Sequence, residues 1–579
     1  MEKIDFLLEN NKKYLWLIPC LLAFICFINT VGFGFVYDDI YVVVKAIPVL
    51  QNWNLENLKI LFTTDIWTFL TQTLEQSEKK DSIYYRPIFG LFLMFNYLFA
   101  GNLPAKWHLV SVLLHVLATG LSYQTIVNSL DQITTNKPVV YPLALISSII
   151  FAVHPAQSES IAWISAYVNS LVAILVLLSL IIYLKICNSE VKQFKTIILI
   201  LISAFLYFIA LLTKETAVIL PLILFSYEVF LLRKNLWAKH LINCFIRALP
   251  FVLVTVIYFV VRFKVIGLIS PKVSQNFADS TNATQIIIFS LPNIIINYLK
   301  ILIFPFNLTP FYPIDYIYSP NLLNFYIPLG VLLVLGTVFL IIAWHNKIIR
   351  LALIWLVIPL FPALNIYAIP RENLVQDRYL YFSLIGAGLL LSQLILFFNQ
   401  WLTSTNDEQK VGLKLHILPL VIKIAIVFIL VITTIKQNYI WSDEWNFWSF
   451  IKERFSGSCS ANLELGRLST NNNLYEQAIS YYEEAKKNCP KSLQIHKQLG
   501  TLYGRKGDLV KAEAEFKQMI EISKVPSVTA FGYYNLGLVY NYKGDKEQAI
   551  IYLQKAIELD PNSEIAVLAK NKLNSIAGK

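Results

Sequence analysis

The amino-acid sequence predicts an all-α protein in two parts, a polytopic bundle of about eleven transmembrane helices followed by an α-solenoid of two-helix repeats. Three observations carry this reading. Apolar runs of about 17 to 25 residues recur up to Trp441, the length an α-helix needs to cross roughly 30 Å of hydrocarbon. The 579 residues are 56% hydrophobic and 15% charged, outside the range of ordinary soluble domains. Beyond Trp441 the apolar runs stop, and Glu476, Lys486, Arg505, Glu513, Lys543 and Glu558 are spread along amphipathic helices.

A first span at 13–32 follows Lys12 and Lys13. It lacks a small-residue cleavage site, so it reads as an uncleaved helix and not as a signal peptide. Further spans fall at 105–127, 139–154, 168–186, 195–212, 216–232, 248–263, 323–343, 350–365, 379–399 and 413–436. Lys192 and Lys195, then Arg233, Lys234, Lys239 and Arg247, then Lys347 and Arg350, then Lys410 and Lys414 all fall on the side of Lys12 and Lys13. By the positive-inside rule that side is the cytoplasm, which puts the C-terminal part outside it. The stretches 86–100 and 284–305 are nearly long enough to cross. They are placed along the outer membrane surface, because a crossing by either reverses the basic loops that follow. The net charge of +11 is accounted for by these loops and does not call for nucleic acid. Six cysteines include no C-x-x-C pair, so neither a zinc site nor a dithiol redox centre is expected.

The expected organisation is a membrane domain at 1–440 with its first external loop at 33–104, a linker at 441–459, and three repeats with a capping helix at 460–579. The repeat has a period of about 34 residues, the tetratricopeptide signature. Tyr533, Leu536, Gly537, Tyr540, Ala549, Leu553, Ala556 and Pro561 fill its packing positions. Leu499, Gly500, Tyr503, Ala512 and Phe516 repeat them, as do Leu465, Gly466, Ala478, Tyr482, Ala485 and Pro490. Cys459 and Cys489 bracket the first helical pair, where a disulfide and two free thiols are both open.

Polar residues gather at the external ends of the apolar segments. Asp38 and Asp39 follow the first span; one of two adjacent carboxylates resists ionisation, and a carboxylate there suits removal of a proton from an attacking hydroxyl. The plainer alternative is that they cap the helix beginning near Ile40. Arg86, His154 with Glu159, Lys214 with Glu215, and Asp377-Arg378-Tyr379 complete the set. Each alone is explained by snorkelling, capping or a local ion pair. Together, on one side of one bundle, they point to a shared polar cavity in which Arg86, Lys214 and Arg378 suit an anionic phosphate. His108 and His115 read as buried hydrogen-bonding residues.

These residues in order resemble the transmembrane and tetratricopeptide-repeat O-mannosyltransferases, within the multispanning GT-C class. Tyr37-Asp38-Asp39, Arg86-Pro87, His154-Pro155, Lys214-Glu215 and Asp377-Arg378-Tyr379-Leu380-Tyr381 carry the resemblance, which covers essentially the whole chain. It implies a GT-C-like fold, a polyprenyl- or dolichyl-phosphate sugar donor, an acceptor hydroxyl on a protein or glycan, and inverting transfer at the extracytoplasmic face. It also implies that Asp38 is the base, with Asp39 supporting it or helping to hold a divalent metal ion. Phe382-Ser383-Leu384 departs from the family's usual Leu-Pro-Ser, and the short repeat array suits a bacterial relative in a plasma membrane rather than an endoplasmic-reticulum one. The competing expectation is a non-catalytic membrane scaffold whose repeats recruit partners.

Overall fold

Apolar sequence of this length folds as helix because only helices and closed barrels satisfy their own backbone in lipid. In the computed structural model every regular element among the described residues is helical. Those residues are 12–74, 82–188, 193–232, 238–267, 282–366, 369, 373–404, 414–576 and 578. Lys192, Arg233, Lys234 and Lys410, used above to orient the spans, lie outside them. The chain forms two units, Met1–Glu444 and Trp445–Lys579.

Among the described residues of the first unit eight helices are long and apolar enough to cross a membrane: Pro104–Ile133, Ile164–Cys187, Phe194–Thr213, Cys244–Ile266, Ala283–Ile303, Leu322–His345, Lys347–Leu364 and Val421–Trp441. Lys137–Val153 and Pro155–Ala162, bent by 52° where Pro155 interrupts the backbone ladder, make up to a ninth. The expected spans at 13–32 and 379–399 have only shorter apolar stretches of described helix, Leu17–Gly32 and Ser383–Phe398, and 216–232 is a 3-10 turn, Glu215–Ile219, followed by Leu220–Phe230. Eleven therefore stands as an approximate count. Pro87–Ala100 is an apolar helix shorter than a span. Ala283–Ile303 is not: its 21 residues and mean hydropathy of 2.0 have the length and apolarity of a span, whereas the sequence reading laid it flat.

Small residues set the closest approaches in the bundle, as expected where apolar lipid offers no hydrophobic drive to association. A Cβ on Gly386 would lie 2.3 Å from the Leu356 backbone nitrogen, and one on Gly388 2.7 Å from the Ser147 carbonyl oxygen. Backbone cannot swing aside as a side chain can. Gly386→Ala is therefore expected to cost about 1–3 kcal/mol, read as a lower melting temperature of the full chain in detergent.

Between the first span and Pro104–Ile133 the chain folds into a small platform of helices Leu55–Thr63, Ile66–Thr71 and Pro87–Ala100, around Leu50, Phe69, Leu93 and Met94. Asn54 and Asp65 cap the first two helices by accepting backbone N–H groups. Pro87 opens the third, which fixes Arg86 at its N-cap.

The second unit carries helix Glu444–Arg454 and then the pairs Cys459–Asn471 with Tyr475–Asn488, Leu493–Lys506 with Leu509–Ile522, and Pro526–Tyr542 with Lys546–Leu559, closed by Glu564–Ile576. Gly466 and Gly500 let the paired helices touch: a Cβ there would lie 2.6 Å from the Tyr482 ring and 2.7 Å from that of Phe516. Cys459 and Cys489 form a disulfide with Cα atoms 6.1 Å apart. Closing a loop of 30-residue separation stabilises by roughly 3–4 kcal/mol. Thiol alkylation of the unfolded full chain should label both cysteines only after reduction.

Candidate functional site

The turn after the first span separates the two adjacent carboxylates. Tyr37 takes φ of 57°, a left-handed conformation that a bulky residue adopts only when its surroundings enforce it. Its ring packs against Trp163 and Phe311. Asp39 is buried, and its carboxylate points back into the turn. Oδ2 accepts from the Val36 N–H at 3.2 Å, while Oδ1 accepts from the Ser165 N–H at 2.7 Å and the Ser165 hydroxyl at 2.5 Å. It makes no cap bond to the helix at Ile40, so capping does not explain it. Burial pushes its carboxyl up to about 7, with the Ser165 bonds opposing that rise. Asp38, by contrast, lines a cavity of about 340 Å³.

The same cavity is lined by Arg86, Lys214, Glu215, Arg378 and Tyr379. Residues far apart in sequence thus meet where broken helix ends leave room for polar groups. Arg86 from the platform holds Glu215 with two bonds, Nε to Oε2 at 2.9 Å and Nη2 to Oε1 at 2.5 Å, and its guanidinium stacks over Tyr84 at 4.4 Å. Burial raises the Glu215 carboxyl, but the Arg86 pair overrides it and holds the group near 2. Lys214 does not pair with its neighbour Glu215. Its amine donates to Asn169 Oδ1 at 2.5 Å. Burial, then the nearby Arg86, pull that amine down to about 7.

Arg378 is held by Glu159 through its guanidinium and, at 2.9 Å, through its backbone N–H. Trp163 and Tyr379 lie against its guanidinium at 5.1 and 5.4 Å. Burial acts to lower the Arg378 pKa, and Glu159 outweighs it. Behind this pair, Asp377 accepts from the Tyr312 hydroxyl at 2.6 Å. Burial and then Glu159 raise its carboxyl well above the usual range.

Asp38, Arg86, Lys214, Glu215, Arg378 and Tyr379 are therefore brought to one cavity, while Asp39, His154, Glu159 and Asp377 are not among its lining residues. His154 sits in the bend of its broken span, its Nδ1 accepting from the Ala156 N–H and its Nε2 3.3 Å from the Leu302 carbonyl. His108 and His115 are buried against the Gly34 and Ala152 carbonyls, as hydrogen-bonding residues. The sequence reading missed Arg262, which lines the cavity and donates to the Ile83 carbonyl at 2.8 Å. A basic residue inside an apolar helix was the available signal. It also missed Asn169, Ser165 and Trp163, whose types carry no such signal. A divalent ion is poorly served by Asp39, since both its oxygens already accept N–H or O–H groups. Among the described residues no cluster of three or more His, Cys, Asp or Glu is placed to hold a metal.

Residues 460–492 and 530–563 match family models described as tetratricopeptide repeat, so the second unit is a stack of such repeats. The chain is 23% identical to the protein named Protein O-mannosyl-transferase TMTC3 of Mus musculus, over 98% of this chain and 62% of that one. It is 30% identical to Protein O-mannosyl-transferase tmtc2 of Xenopus laevis over 38% of this chain and 24% of the other. The chain spans less than two thirds of the length of these curated relatives. Among solved structures, an Archaeoglobus fulgidus oligosaccharyltransferase tethered to an acceptor peptide aligns over 81% of this chain and 59% of its own, with a TM-score of 0.40 and 11% identity. The chain is thus a multi-pass membrane protein related over most of its length to named protein O-mannosyltransferases.

Proposed function

We propose that this protein transfers a sugar, mannose by analogy with its relatives, from a polyprenyl- or dolichyl-phosphate carrier to a hydroxyl of a protein acceptor. The observation that carries this reading is that one cavity gathers Asp38 with Arg86, Lys214 and Arg378. A transferable sugar phosphate needs a base on one side of the anomeric carbon and cationic donors on the other.

In the proposed step Asp38 takes the proton of the acceptor hydroxyl as its oxygen bonds to the anomeric carbon. The bond from that carbon to the phosphate oxygen breaks, and the electron pair leaves on the carrier phosphate. A single displacement of this kind inverts the anomeric centre. The leaving phosphate gains negative charge, so fixed cations bind it more tightly in the transition state than in the ground state, which is the condition for rate acceleration. Arg86 and Arg378 are pre-oriented by their carboxylate partners and aromatic neighbours and do not have to be ordered during the reaction. Asp39 is assigned a positioning role, holding Ser165 and the turn that presents Asp38.

The N-terminus is proposed to be cytoplasmic, and the cavity and repeats extracytoplasmic, in a bacterial plasma membrane or, in a eukaryote, the endoplasmic reticulum. The Cys459–Cys489 disulfide supports an oxidising location for the repeats. The repeats are assigned to acceptor or partner docking.

The test supplies full-length protein in liposomes with mannosyl-phosphoryl-polyprenol, the corresponding glucosyl lipid, or a nucleotide-activated mannose, together with a panel of Ser- and Thr-containing peptides. Transfer from a lipid-phosphate sugar and none from the nucleotide sugar is the expected result. The repeats themselves favour a second reading, a scaffold. On that reading no donor supports transfer, and deleting 460–579 removes all function while Asp38→Asn removes none.

A further inference from the structure

Three cations read from the sequence meet in the cavity, and they are not equivalent. Arg86 is bonded twice to Glu215 and Arg378 twice to Glu159, so each guanidinium arrives with its countercharge already in place. Lys214 is 5% exposed, and its amine donates instead to the neutral amide oxygen of Asn169 at 2.5 Å. An incoming anion that lies between the three therefore gains most from the amine. A pre-neutralised arginine offers hydrogen bonds, while an amine bonded to an amide offers charge.

We infer that Lys214 is the residue that takes the charge of the donor's phosphodiester, and that donor binding carries a proton from solvent onto its amine. The inference rests on the proposed use of a lipid-phosphate sugar. Arg86 and Arg378 both disfavour a third positive charge beside them, and Glu215 and Glu159 offset this only in part. Arg262 adds positive charge to the wall, Asp38 is the remaining carboxylate of the lining, and the Tyr84 and Tyr379 hydroxyls are its other titratable groups. Burial weighs in the same direction as the arginines, and the amine loses its proton near neutrality. The neutral amine still donates to Asn169, so no bond is broken when it deprotonates. A phosphodiester anion reverses the balance, because an opposite charge within about 4–6 Å favours the protonated amine. The balance of the step is simple: one proton moves from water or buffer to Nζ, and one monoanion enters.

The consequence is a binding constant that depends on pH although the ligand does not titrate. The probe is methyl farnesyl phosphate, a diester with one fixed negative charge, added to purified full-length protein in detergent. Its binding is followed by calorimetry from pH 6 to 9 in two buffers of different ionisation enthalpy. The expected result is a dissociation constant that rises by up to about tenfold per pH unit above 7, with up to one proton taken up per ligand at the alkaline end. Lys214→Arg, which keeps a charge that does not titrate here, should bind with no such slope and no proton uptake. Binding of the same strength across the range by the wild type, without proton uptake, overturns the inference and leaves the phosphate-binding cavity standing. The same slope in Lys214→Arg also overturns it, by moving the titration to another group. No binding at any pH by wild type or variant overturns the cavity's assignment to a lipid phosphate, and the inference with it.

Discussion

Asp38→Asn is expected to lower sugar transfer by about a hundredfold to ten-thousandfold, the span attributed to a positioned general base, with protein level and melting temperature unchanged. Asn cannot accept the proton, and Asp38 lines the cavity. Asp39→Asn should behave differently. Asp39 accepts from three donors, and an amide must turn one N–H toward them. Leaving such a buried group unsatisfied costs about 1–3 kcal/mol. That variant is expected to melt lower, and its activity to fall through the displaced turn. Parallel melting curves and initial rates on the two proteins separate a base from a positioning residue. Full activity in both variants would place the base elsewhere.

Glu159→Gln is expected to be destabilising, by up to about 3 kcal/mol, because it removes the buried carboxylate that pairs with the partly exposed Arg378 guanidinium. Removing both charges in a Glu159→Met, Arg378→Met double variant should recover much of the stability, since replacing a buried ion pair with apolar side chains is often neutral. It should not recover transfer, because the donor loses a cation. A single variant that melts like the wild type would mean that the pair contributes little, and the double variant then has nothing to restore.

The membrane bundle and the repeats were legible because their signals are periodic and extend over many residues. Apolar length marks a span, and Leu536, Gly537, Ala549 and Leu553 repeat at distances set by helix pairing. Polar groups at broken helix ends were legible as a set, and most of them do share a cavity. Which member of each pair faces inward was not legible. Asp38 and Asp39 are neighbours, and the second turns away to the Val36 N–H and to the Ser165 N–H and hydroxyl, beside the left-handed backbone of Tyr37. Lys214 and Glu215 looked like one local ion pair, yet Glu215 is taken by Arg86 from 129 positions earlier. Glu159 and Asp377 looked like cavity residues and act as partners of Arg378 and Tyr312. Such choices depend on tertiary contacts between segments that sequence spacing does not relate.

A structure of full-length Asp38→Asn protein with bound mannosyl-phosphoryl-polyprenol tests the whole arrangement at once. The expected density has the phosphate within hydrogen-bonding distance of the Lys214 amine, between the Arg86 and Arg378 guanidiniums, with the anomeric carbon facing the side chain at position 38. A donor phosphate seated outside this cavity, or an anomeric carbon turned away from that side chain, would contradict the account.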